Sequence, residues 1–94
     1  MLRRKGNREG AKRYYELALS LNSEYHDTNK MAESYMNLGV LYSDGGEYEK
    51  ALVEFRTAVA LSSKGNRIKG VYRGKFNISG VYLSLGKRDT LPTV

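Results

Sequence analysis

The sequence predicts an all-α chain in which antiparallel helix pairs stack as a short α-solenoid of about four helices. Three observations point there. Residues 6–46 laid over residues 46–86 give nine identities, among them Ala11/Ala51, Ala18/Ala58, Leu21/Leu61, Asn37/Asn77 and Tyr42/Tyr82. Conservative pairs such as Tyr15/Phe55, Met36/Phe76 and Leu38/Ile78 extend the match. A period of this length marks units that bury their faces only against their neighbours. Apolar residues also recur every three or four positions within each unit, which is the helical period. Joints rich in Gly, Asn and Asp separate the periodic stretches.

The first helix is predicted over about residues 7–22, with Asn7 as its N-cap and a stripe of Ala11, Tyr14, Tyr15, Ala18 and Leu21. Residues 22–29 are turn-rich, and Asp27 or Thr28 can cap the second helix, over about 29–44. Its stripe is Met31, Tyr35, Leu38 and Tyr42, with Ala32 and Gly39 as low points where a neighbour can come close. Asp44-Gly45-Gly46 stops it, since Gly readily takes the left-handed conformation a helix end needs.

A third helix over about 47–63 turns Tyr48, Ala51, Leu52, Phe55, Ala58, Val59 and Leu61 inward. Glu47 and Glu49 sit near its N-terminus, where negative charge is favoured. Asn66 is expected to cap a fourth helix over about 67–85. Gly70, Gly74 and Gly80 there each cost about 1 kcal/mol against Ala, so either a neighbour packs closely over them or the segment frays. Residues 87–94 read as the truncated start of a next repeat or a disordered tail, and 1–94 as a single domain. The pattern begins and ends in mid-repeat. That predicts either self-association through open ends or a place in a longer array.

Ninety-four residues suit one small domain. No apolar run approaches the roughly 20 residues that cross a bilayer, so no membrane partner is expected. The basic start Met1-Leu2-Arg3-Arg4-Lys5 leads into no apolar segment, and cytoplasm or nucleus is the expected location. Without Cys there is neither disulfide nor zinc–thiolate site. The single His, His26, falls in a predicted loop, and no glycine-rich stretch continues into the Lys-Ser/Thr of a phosphate loop. No catalytic residue, metal or cofactor is therefore expected. The net charge of +6 is unevenly spread: residues 1–13 sum to +5, 14–63 to −5 and 64–94 to +6. Basic ends around an acidic middle steer acidic partners to the ends, or bring copies together end to middle.

The central motif is Tyr35-x2-Leu38-Gly39-x2-Tyr42 followed by Ala51-x3-Phe55 and Ala58. This resembles the tetratricopeptide repeat, with Tyr35 at the usual Trp position. Ala11-x3-Tyr15 and Ala18 resemble the second helix of a preceding repeat. Ile78-Ser79-x2-Tyr82 resembles the first helix of a following one, with Ser79 where Gly is usual and Lys75 where a bulky aromatic is usual. The forty-residue spacing is similar to long-repeat scaffolds of the Pins/LGN and kinesin-light-chain type. The resemblance implies a non-catalytic scaffold or adaptor that holds a peptide or helix of a partner protein in a concave groove.

It also implies that Asn37 and Asn77 face that groove, where an amide can both donate to and accept from a peptide backbone. Helical geometry then places Glu33, Met36, Asn37 and Val40, and likewise Arg73, Phe76, Asn77 and Gly80, on one exposed face. Met36 and Phe76 are expected there as exposed apolar groups. Arg73, with Lys69 one turn earlier, is expected to pair with an acidic side chain of the partner. The peptide-binding set is thus Glu33, Met36, Asn37, Val40, Lys69, Arg73, Phe76 and Asn77. The rival reading is a basic nucleic-acid module. It rests on Arg3, Arg4, Lys5, Arg8, Lys12 and Arg13, and on Lys64, Arg67, Lys69, Arg73 and Lys75 with Tyr72 and Phe76 interleaved. The acidic middle opposes a strand that would have to cross both clusters.

Overall fold

The computed structural model describes residues 5–90, all of it helices and the joints between them. The elements are α1 (Lys5–Glu24), α2 (Thr28–Asp44), α3 (Tyr48–Lys64) and α4 (Ile68–Thr90). Each helix packs on the next in the chain, and α2 also touches α4. The all-α stacked architecture expected from the repeat is what is found.

The three joints are built alike and recur every twenty residues. His26 (φ 56°), Gly46 (φ 80°) and Asn66 (φ 58°) each take the left-handed conformation. The amide three residues beyond each helix returns to a carbonyl in its last turn: Asp27 to Asn22 at 2.8 Å, Glu47 to Tyr42 at 2.9 Å, and Arg67 to Ser62 at 2.8 Å. That bond satisfies carbonyls which would otherwise lack a partner. The half-repeat is therefore a structural unit in its own right. Asn and Gly bear the positive φ at little cost, whereas His26 carries some of the strain that a Cβ imposes there.

The core sits between α2, α3 and α4. Ala51, Ala58 and Phe55 are almost wholly buried, with Leu52, Met36 and Val81 around them. Small residues allow the close approach. Gly70 and Gly74 of α4 are covered by Ser62 and Val59 of α3, so the helix that looked glycine-weakened is seated on those very residues. Gly80 faces open space. Two ammonium groups approach the Tyr42 ring, Lys12 from α1 at 5.7 Å and Lys50 from α3 at 5.6 Å, which ties three helices through one aromatic.

Several expected boundaries move. Asn7 is not a cap, because α1 is already helical at Lys5. Asp27 does cap α2, its carboxylate accepting from the Lys30 amide at 3.1 Å. Asn66 does not cap α4 but forms the left-handed joint, and the helix starts at Ile68. Gly86 does not end α4, which runs on to Thr90, so residues 87–90 are helical rather than a tail. The expectations about Met1–Arg4 and about residues 91–94 lie outside the described residues.

Candidate functional site

The forty-residue period brings α4 alongside α2, and a groove runs between them. Its first half is a recess of about 360 Å³ lined by Asn29, Glu33 and Met36 of α2, Ser62 of α3, the joint residue Arg67, and Lys69 and Arg73 of α4. The second half is a smaller recess of about 260 Å³, lined by Val40, Ser43 and Asp44 on one side and Phe76, Asn77 and Gly80 on the other, over Phe55 and Val81. Successive turns of the two helices supply these residues, so the groove follows both helix axes.

The two halves differ in chemistry. Around the first stand three cations, Arg67, Lys69 and Arg73, against one carboxylate, Glu33, all solvent-exposed. None of the three cations forms an ion pair among the described residues; Lys50 and Glu47, paired at 3.1 Å, lie elsewhere. The second half holds no cation: apolar Val40, Phe55, Phe76 and Val81 share its lining with Ser43, Asp44 and Asn77, and Phe76, at 77% exposure, stands at its edge. An open aromatic beside unpaired cations offers an apolar contact and an anion contact in one groove.

Of the expected residues, Glu33, Lys69 and Arg73 meet in the first recess, and Val40, Phe76 and Asn77 in the second. Met36 departs from expectation. It is 6% exposed and belongs to the core, where its Cε reaches over Gly74. Its Sδ accepts a hydrogen bond from Asn77 Nδ2 at 3.4 Å, a weak bond that turns the Asn77 amide towards the floor. The physical reason is that α1, α3 and α4 all pack on α2, so its buried arc is wider than a single stripe.

Asn37 is exposed and lines a separate recess of about 190 Å³ with Tyr14, Tyr15 and Ala18 of α1. The two asparagines thus occupy equivalent positions in successive repeats but line different hollows. Sequence reasoning missed Asn29 and Arg67 at the first recess. Asn29 lies one turn before Glu33 and was within reach of the helical spacing. Arg67 belongs to a joint, where helical spacing carries no information.

Comparison with known proteins gives one positive result. A family model described as tetratricopeptide repeat matches residues 1–64. No curated protein and no solved structure matches the chain.

Proposed function

The chain belongs to the tetratricopeptide repeat family, and from that premise we propose that it is a non-catalytic scaffold whose α2/α4 groove holds an extended, acidic segment of a partner protein. Members of this family are generally protein–protein interaction modules. The observation that carries the finer reading is the unpaired cluster of Arg67, Lys69 and Arg73 in the same groove as the exposed ring of Phe76. A carboxylate placed there gains charge-assisted hydrogen bonds, and the guanidinium groups can take it with both oxygens.

Groove dimensions narrow the ligand. From Asn29 to Asp44 the groove follows α2 for about 22 Å, at roughly 1.5 Å of rise per residue. An extended peptide advances about 3.3 Å per residue, so about six or seven residues fill it. The charged and apolar recesses are centred about 12 Å apart along the helices. An acidic side chain and an apolar one about three or four positions apart therefore match both.

The test is selection from a random library of short peptides by the full chain, followed by affinity measurement. The expected outcome is enrichment of sequences with an acidic and an apolar residue at that spacing. Lys69→Glu with Arg73→Glu should abolish their binding, while Lys50→Glu, away from the groove, leaves it intact. Retention of the selected peptides by the doubly reversed variant, or enrichment without acidic residues, overturns the reading. Preferential capture of single-stranded RNA over every peptide would do the same.

A further inference from the structure

The outer faces of the terminal helices carry more large apolar surface than the inner faces to which they correspond. On α1, Tyr14, Leu17 and Leu21 are exposed in one stripe that Tyr25 extends into the joint, whereas the counterparts forty residues on are Glu54, Thr57, Leu61 and Gly65. On α4, Ile68, Tyr72 and Leu83 are exposed, whereas the counterparts on α2 are Thr28, Ala32 and Ser43; the half-exposed Tyr82 is turned to α3, its hydroxyl accepting a hydrogen bond from Arg56. The seven side chains of the two open faces are between 48% and 79% exposed. Faces that cap a helical stack are expected to be polar. Here they are built like contact faces.

The offset says what fits them. α4 stands to α2, and α1 to α3, at the repeat spacing. An α4 followed by the α1 of a second copy therefore reproduces the order of α2 and α3, the most extensive helix contact in the molecule. We infer that copies of the chain associate head to tail, the Tyr72/Leu83 face of α4 in one copy docking on the Tyr14/Leu17 face of α1 in the next.

The two faces differ, so the interface is heterologous and each copy added leaves both kinds of face open at the ends. The docked pair stands further apart than α2 and α3 do. Tyr72 and Ser79 occupy the places of Ala32 and Gly39, which lets the larger side chains fill the gap. Gly10, Ala11 and Ala18 give α1 low ground on that side. Phe76, four residues after Tyr72 and seven before Leu83 on α4, stands where this face meets the groove between α2 and α4, whereas the α1 face lies away from that groove.

Sedimentation of the full chain tests it with two variants. Tyr14→Glu with Leu17→Glu disables the α1 face, and Tyr72→Glu with Leu83→Glu disables the α4 face. All four side chains are exposed, so wild-type helicity by circular dichroism is expected of both. The wild-type chain should gain mass steadily with concentration, while each variant alone remains monomeric, its self-association weakened at least tenfold. Mixed together, the variants should form a one-to-one dimer and nothing larger, because each retains the face the other lacks. A wild-type chain that stays monomeric, a mixture that stays monomeric, or either variant dimerising alone overturns the inference. The last outcome would mean a symmetric contact.

Discussion

The ring of Phe55 fills the space that a side chain at Gly39 would need: a Cβ built there would lie 2.5 Å from two of the ring carbons. Phe55 is 1% exposed and held in the core with Ala51, Leu52 and Ala58. Gly39→Ala should therefore destabilise the fold by about 1–3 kcal/mol through overpacking, despite the better helix propensity of Ala. Gly80→Ala is the control, since its Cβ would meet open space and should stabilise by up to about 1 kcal/mol. Urea unfolding of the two variants measures this, and equal midpoints would refute the assigned role of the Gly39–Phe55 contact.

Met36 and Phe76 are counterparts at the repeat spacing but stand in opposite environments, one in the core and the other 77% exposed. Met36→Ala is expected to cost about 2–5 kcal/mol, because it leaves a cavity over Gly74. Phe76→Ala should change stability by less than about 0.5 kcal/mol. Its expected effect is instead weaker retention of groove-binding peptides. Thermal unfolding and peptide titration on the two variants separate these roles, and the reverse pattern would place Phe76, not Met36, in the core.

The contrast between these two residues also shows what could be read in advance. Gly39, Ala51, Phe55 and Ala58 were legible because close helix approach demands small residues at fixed spacing, and spacing survives in the sequence. Met36 was not. Helical periodicity says which residues share a face, but not how many neighbours cover the helix, and α2 is packed by α1, α3 and α4. The ends of α1 and α4 were misread for another reason. Caps such as Asn7 and breakers such as Gly86 carry about 1 kcal/mol each, and packing along a whole helix outweighs them. The cationic recess was half legible. Lys69 and Arg73 follow the α4 spacing, whereas Arg67 enters from a joint.

Glu54 of α3 offers a pH-dependent test. Burial first, and then the charge of Glu16 on α1, hold its carboxyl above the ordinary carboxylate range. Such a group binds its proton more readily in the folded chain than in the unfolded one. Stability therefore falls as pH rises through the window between the unfolded and folded values, and the full cost is present at neutral pH. Glu54→Gln should raise Tm at pH 7, and the gain should vanish in acid, where both states are protonated. Because the group is partly exposed and solvent screens it, the gain is expected to stay below about 0.5 kcal/mol. A gain that grows towards acid pH would have the wrong sign.

Salt should act in opposite directions on the two associations. An acidic peptide in the groove is held by Arg67, Lys69 and Arg73, all exposed, so added salt screens an attraction and binding weakens. Copies of the chain each carry +6, and their end faces meet through apolar side chains, so added salt screens a repulsion and self-association strengthens. Raising the salt from about 0.05 to 0.5 M takes the Debye length from roughly 14 Å to roughly 4 Å, enough to move both equilibria. Peptide affinity and weight-average mass, measured on the same samples, should therefore diverge. A joint fall would mean that the contact between copies is itself electrostatic, acidic middle against basic end, and that the apolar stripes of α1 and α4 do not hold it together.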